Sequence, residues 1–574
     1  MPLPRSLTTA THADLDLDLV AGRWPDDCTG EVVISAPTPA DDLAYALFGF
    51  GALIRLSLRP GRHGAAADRF AWRVRVLDTW THRLHDAAPD AFAAGPLGYT
   101  SAFGSPNMAN TAPLPWGDRL FATWDVGRPI EVDPLTLDVL GELGHRDGWG
   151  RTFLGQDHVL PFYFSSAHPV IDPDRGCLWT VKLLPDEAFR LCPWIVRHDG
   201  GTEVRAWPVE GAAVDGSMHT ITQTPEWLVL ADSGNFKVDP AEMATGVRTV
   251  TIDDEVTVHL VRKDAVEATP VGEPVPSVAF PLAPTTGHYY AAYDDADGRV
   301  HVLFEHMDRT DLGIHLRPDD LDAFGRPIDP AHAGLYCMAM GTSSVSEVVF
   351  DPARGTATRE VIVNEPWSWN HQLSAMDWST EGLRSPTHHH LVFQGFRPHN
   401  VSQRALRLYG DRVDRSAFPA AETSASLVTF DRDGLAITAR HEWSDLGDLP
   451  SSPAFVPRDP GGPGRSRHAG ADPGGHDGYV ACPVLSDDGV RVELFDAADV
   501  GRGPIAVLAS PDRACVPLLL HSAWVPEVGP APEVERLRLA DEVTEAHLAA
   551  LPDDHLRNAL EQVLRDEAER TRAG

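Results

Sequence analysis

Lysine is nearly absent from this sequence: Lys182, Lys237 and Lys263 are the only three, so almost every positive charge is arginine. Even with arginine counted the cations number 48 against 83 Asp and Glu, a formal net charge of −35 with histidine neutral. A surface of that sign repels phosphate backbones and anionic bilayers, which excludes nucleic acid as the expected partner. Cysteine is scarce too. The six (Cys28, Cys177, Cys192, Cys337, Cys482 and Cys515) are scattered and include no CxxC pair, which argues against a disulfide framework or a zinc knuckle. Runs of about 18 apolar residues free of charge are missing. The first residues, MPLPRSLTTATHADLDLDLV, hold no basic segment followed by an apolar run. We therefore expect a cytoplasmic protein without a spanning helix.

What is present points to many short strands. Hydrophobic residues make up 43% of the 574 and charged ones 23%, enough for a large core. Gly and Pro, 48 each, interrupt helices and favour turns. Runs such as GEVVIS from Gly30, FAWRVRVL from Phe70, CLWTVK from Cys177 and TVHLVRK from Thr257 have strand length and partial alternation. Between such runs lie acidic turns ending in glycine: DPDRG (Asp172 to Gly176), DDADG (Asp294 to Gly298), DPARG (Asp351 to Gly355), DRDG (Asp431 to Gly434) and SDDG (Ser486 to Gly489). Asp can bond its own backbone and Gly supplies positive φ, so each reads as a hairpin. Hairpins from end to end predict an all-β meander. At this length a β-propeller is the architecture that leaves short edges.

Two stretches depart from the pattern. Residues 458–477 are rich in Gly and Pro and read as a mobile loop. From about Ala531 the chain turns helical, with Leu556, Leu560, Val563 and Leu564 on one face and Asp553 or Asp554 as cap. The expected division is an N-terminal extension over 1–24, the propeller over 25–528 and a helical tail over 529–574.

There are 26 histidines and no HExxH. The run His388 to His390 would alternate across a strand, so no compact local metal site is encoded. Four segments nonetheless stand out: SSAHPVIDPDRG around His168, SMHTITQTPEWLVLAD around His219, TTGHYYAAYDDADGRVHVLFEH around His288 and VPLLLHSAWVPEV around His521. In order and setting these resemble the four histidine motifs of the carotenoid cleavage oxygenases. The stretch PNMANTAPLPWGDRLFATWDVGRPIEVDPLTLDVLG and the strand LFGFGALIRLSL resemble two further landmarks of that family. His301 and His306 compete with His288 for the third place. His288 is preferred because the hairpin DDADGR follows it at the family's distance.

The resemblance, over roughly residues 25 to 528, implies a seven-bladed propeller with a loop and helical cap over an axial Fe(II) held by His168, His219, His288 and His521. Imidazole suits Fe(II), and four neutral ligands leave positions open for O2. In the family three carboxylates accept the other ring N–H of three ligands. Asp125 and Glu365 stand at the first two such places here, and Ser452 replaces the third. Trp367 and Trp369 are candidates for an apolar substrate tunnel. Asn107 stands where stilbene-cleaving members have a Lys that engages the phenol, which disfavours phenolic stilbenes against a carotenoid-type polyene. The function implied is oxidative cleavage of a C=C bond of an apolar conjugated substrate by O2 into two carbonyl products. Peripheral contact with a membrane would have to rest on apolar burial, given the charge. Ser452 and altered flanks at His219 and His521 motivate an alternative, an iron-binding propeller with an isomerase or lipophile-binding role. An unrelated propeller, a glycosidase or an interaction platform, is the third reading.

Overall fold

The acidic turns are where strands reverse. In the computed structural model, which describes residues 12–38, 45–95, 98–152, 158–188, 190–237, 239–374, 386–458, 475–511 and 517–573, Val170–Asp172 returns as Cys177–Pro185. Asp172 Oδ1 accepts the backbone N–H of Asp174 and Arg175 at 3.1 and 3.0 Å, and Gly176 closes the turn at φ 60°, a conformation that costs glycine little. At the Asp431 turn the left-handed residue is instead Leu435, φ 48°, one position beyond Gly434.

The strands assemble into successive antiparallel meanders. Ala112–Trp116, Arg119–Thr123, Ile130–Val132 and Val139–Glu142 form the first. In the second, Phe164–Ser165 and Val170–Asp172 share Cys177–Pro185, followed by Leu191–His198 and Val204–Pro208. The third runs Ile221–Gln223, Trp227–Ala231, Val256–Arg262, Val278–Leu282, and the fourth Thr286–Ala291, Val300–His306, Ser344–Asp351, Thr356–Val363. His371–Ser374, His388–Phe393, Ser426–Asp431 and Ala436–Glu442 make the fifth. In the fourth sheet the first strand is buried over most of its length, whereas the last, TATREVIV, is largely exposed and carries Arg359 and Glu360. That charged outer edge discourages further pairing.

This is a propeller-like all-β arrangement, but five separate sheets of four or five strands stand where seven blades are expected. Ten other strands form one continuous sheet. The cause is Ala13–Gly22, which pairs with Phe70–Val76 through Ala13 to Leu17 and with Ala506–Ala509 through Asp18 to Gly22. Residues 13–22 are thus part of the sheet and not an extension before residue 25. The Gly/Pro-rich loop expected over 458–477 falls mostly outside the described residues, as does Cys515.

Long insertions form a cap. The chain between Ala231 and Val256, between His306 and Ser344 and between Phe393 and Ser426 contributes Ile252, Ile314, Met338 and Leu406 to a shared core around Trp369. One polar knot ties the three insertions: the Arg248 guanidinium donates to Asp311 Oδ1 at 2.9 Å, and Tyr409 Oη donates to Asp311 Oδ2 at 2.8 Å. Burial holds the Asp311 carboxyl above its usual range despite Arg248.

The C-terminal helix Asp554–Ala573 begins where Asp553 Oδ1 accepts the Leu556 N–H at 3.0 Å. Leu556, Leu560 and Val563 are buried against Trp80, Leu84, Trp124 and Val126. The tail is therefore packed into the body of the fold. Arg128, its side chain fully buried, donates to both Glu542 oxygens at 2.7 Å and through Nε to Glu142 at 2.8 Å. Two carboxylates on one planar fork satisfy a guanidinium that could not otherwise be buried. No helix among the described residues is long and apolar enough to cross a membrane.

Candidate metal centre

The first strands of neighbouring sheets lie side by side. His168 and Thr220 form a parallel bridge, with the His168 N–H donating to His219 O at 3.1 Å. Tyr289 Oη donates to Thr220 O, and the Ser35 N–H donates to His521 O at 2.9 Å. His168, His219 and His521 each sit just before such a strand, and His288 sits inside one. The four ligand nitrogens lie within 4.8 Å of one another. Nε2 of His219 is 3.1 Å from that of His168 and 3.2 Å from that of His288. Such spacings suit adjacent ligands on one ion with bonds of about 2.0–2.2 Å. Burial, reinforced by the neighbouring rings, holds His168, His288 and His521 well below the usual histidine range. They are neutral at pH 7, the form that ligates a metal. The donor set fits the metal that the resemblance implies.

Behind His219, the Asp125 carboxylate accepts from Nδ1 at 2.8 and 3.0 Å. A carboxylate only accepts, so the proton is on Nδ1 and the Nε2 lone pair faces the cluster. Glu365 does not play this part. The turn in which Ser368 N–H donates to Glu365 O leaves its side chain exposed. The buried carboxylate near His288 is Glu305, paired with it across the adjoining strand, its Oε2 3.9 Å from His288 Nδ1. The same oxygen meets Nε2 of a further buried histidine, His371, at 2.6 Å. His371 begins the first strand of the fifth sheet, the setting shared by His168, His219 and His521, and that recurrence is the signal by which sequence reading could have found it. Ser452 is buried and bonds Ser522 Oγ at 3.0 Å, so it supports the strand after His521 and brings no charge there.

His306 is held by Pro284 O and Ser346 Oγ, and His301 pairs with Asp297. Neither joins the four. In the triple run, His390 bonds Thr429 Oγ1 and Gly475 O, while His389 stacks on Phe430.

A cavity of about 150 Å³ opens on His219, His288, His371, His521 and Asp125. Phe48, Trp124, Phe164, Phe236, Tyr336 and Leu312 give it an apolar wall. Neither Trp367 nor Trp369 contributes. Trp369 packs on Phe396 and Phe418 in the cap core, and Trp367 lies between Phe393 and the Arg440 guanidinium. Asn107 is outside the wall as well; its Nδ2 donates to Arg128 O at 2.8 Å and holds that turn.

Comparison with known proteins adds the following. The family model described as retinal pigment epithelial membrane protein matches residues 5–526. Carotenoid cleavage dioxygenase 8 homolog B, chloroplastic, of Oryza sativa subsp. japonica is 23% identical over 518 residues, 83% of this chain and 76% of that protein. Carotenoid cleavage dioxygenase 7, chloroplastic, of the same plant is 31% identical over 126 residues, 20% of this chain and 21% of that protein. Among solved structures, cobalt-substituted Synechocystis apocarotenoid oxygenase is 18% identical with a TM-score of 0.60, covering 91% of this chain and 98% of that one. A variant of the same enzyme gives 18% and 0.58, covering 91% and 97%. At these identities the structural likeness concerns the fold.

Proposed function

The chain belongs to the retinal pigment epithelial membrane protein family, which is the carotenoid oxygenase family, and from that premise we propose that it is an Fe(II)-dependent oxygenase cleaving a C=C bond of a conjugated apolar substrate. The observation that carries the reading is the convergence of His168, His219, His288 and His521, the last three of which line a cavity with Phe48, Trp124, Phe164, Phe236 and Tyr336 in its wall. When bound by these four neutral imidazoles, Fe(II) supplies the activation of O2.

The remaining work belongs to the protein. Asp125 fixes the tautomer and ring orientation of His219. Glu305 places a buried negative charge behind His288, and its bond to His371 keeps it in place. Phe48, Trp124, Phe236 and Tyr336 exclude water and hold a planar polyene in register. Cleavage of the alkene by O2 into two carbonyl products needs no side-chain acid or base. Among the described residues no Lys or Arg lines the cavity, so a phenolate would meet no cation there, which favours a carotenoid-type polyene over a phenolic stilbene.

One observation favours a second reading. Ser452, bonded to Ser522, stands where the resemblance calls for a third carboxylate, and an iron-binding protein that isomerises or carries a lipophile without oxidative cleavage would tolerate a hydroxyl there. Aerobic incubation of the iron-loaded protein with a panel of polyenes and stilbenes separates the two. Carbonyl fragments of matching mass support the oxygenase; an isomer or the unchanged compound supports the alternative.

A further inference from the structure

We propose that the substrate carries a hydroxyl group that donates a hydrogen bond to Asn235 Oδ1, so that the cavity selects an alcohol over the matching aldehyde or hydrocarbon. The inference rests on the reading of this site as a polyene-cleaving centre and adds the chemistry of the substrate's polar end.

Asn235 is 2% exposed and lines the cavity with His219 and His288. Its Nδ2 donates to the carbonyls of Met307 at 2.8 Å and Thr310 at 2.9 Å. Two carbonyls can be served only by the NH2 end, so the orientation of the amide is determined by its neighbours. The other end, Oδ1, is buried and has no donor within the protein. A Cβ built on Gly287 would lie 3.2 Å from that oxygen. The oxygen therefore stands beside the Cβ-less face of Gly287, one residue before His288, and shares that face with Met307 Sδ, 2.8 Å from the same position.

An acceptor buried without a donor is costly, and a ligand that supplies the donor recovers the loss. The acceptor-only character of Oδ1 sets the sign of selection. An aldehyde oxygen would bring lone pairs against lone pairs, a hydrocarbon end would leave the oxygen unserved, and an O–H satisfies it. The same cavity is lined by Phe48, Trp124 and Phe236, so the complementary molecule is a conjugated apolar body that carries a hydroxyl. A site built to bond a hydroxyl discriminates strongly against analogues lacking it.

The test uses retinol, retinal and the corresponding hydrocarbon as probes on the metal-loaded protein. Binding is read anaerobically by quenching of tryptophan fluorescence, and cleavage aerobically by product mass. Retinol is expected to bind about tenfold tighter than either analogue. Gly287→Ala sets a methyl over the Asn235 oxygen, and because that methyl would also stand 2.8 Å from Met307 Sδ, the flexible thioether must shift to admit it. The variant should lower the affinity for retinol to that for retinal, with metal content measured alongside. Comparison of para-hydroxystilbene with stilbene shows whether the hydroxyl can sit on a phenol; a hydroxyl preference in either series supports the proposal. Equal affinities within each series, or tighter binding of retinal, with any compound cleaved, overturn this inference and leave the oxygenase reading standing. Binding and cleavage of none of them overturn both.

Discussion

Replacing Asp125 by Asn changes one atom and removes one charge behind His219. Both carboxylate oxygens stand within reach of His219 Nδ1, at 2.8 and 3.0 Å, and the ring's far nitrogen is one of the four that converge. A charge-assisted bond contributes about 1.5–3 kcal/mol and a neutral one about 0.5–1.5. The difference, about 1–1.5 kcal/mol, corresponds to roughly five- to tenfold weaker metal binding. The amide can also turn its NH2 toward Nδ1, which would favour the wrong tautomer. The expected total is therefore about 10- to 100-fold. Glu305→Gln should weaken binding less, since Glu305 Oε2 is 3.9 Å from His288 Nδ1 and no short bond to the ligand is lost. Anaerobic Fe(II) titration against a competing chelator measures both variants, with thermal unfolding of the metal-free proteins as control. Asp125→Asn affinity within twofold of wild type, or a larger loss in Glu305→Gln, would refute the reasoning.

Three further outcomes are expected. His198, His315 and His390, each held down to about 4, and His306, held down to about 3, are kept neutral chiefly by burial. The unfolded chain takes up their protons below pH ~6.5, so stability to urea should be flat in this respect above that pH and fall between about pH 6.5 and 4. Asp232, raised to about 6 by burial, and Glu142, Asp308 and Asp311, also raised, act in the opposite direction but are outnumbered by the buried histidines; a metal-free protein that gains stability on acidification to pH 5 would contradict the assignment. Glu542→Ala leaves the Arg128 guanidinium buried with one of its two carboxylate partners and the Gly144 carbonyl and should cost about 3–5 kcal/mol, seen as a lower unfolding midpoint with loss of tail helix protection in hydrogen exchange. His371→Ala should lower the unfolding midpoint, because Glu305 is buried and loses its 2.6 Å partner, while retaining bound metal; loss of the metal would make His371 a ligand.

The candidate site was legible where chemistry and sequence neighbourhood coincide. His168, His219 and His521 each precede a short strand and carry their motif with them, and Asp125, which orients the His219 ring, lies in the WDVG turn just after the strand Arg119–Thr123. Glu305 was hidden because its proximity to His288 arises from strand register, which no local pattern states. His371 was passed over because a carboxylate was sought at Glu365, six residues earlier in the same segment, and the turn at Ser368 sends that side chain to solvent. The all-β meander followed from the acidic turns. The continuous ten-stranded sheet did not, since it depends on Asp18 meeting Ala509 across almost the whole chain. Similarly, the packing of Leu556 and Leu560 showed as an amphipathic face, but its partner, the wall around Trp80 and Trp124, is set by tertiary structure.

Metal per chain after anaerobic Fe(II) loading and desalting tests the central claim most directly. The account predicts about one ion in the wild type and none in His168→Ala or His219→Ala. Wild-type protein that takes up no iron, or variants that load as fully as the wild type, would contradict it.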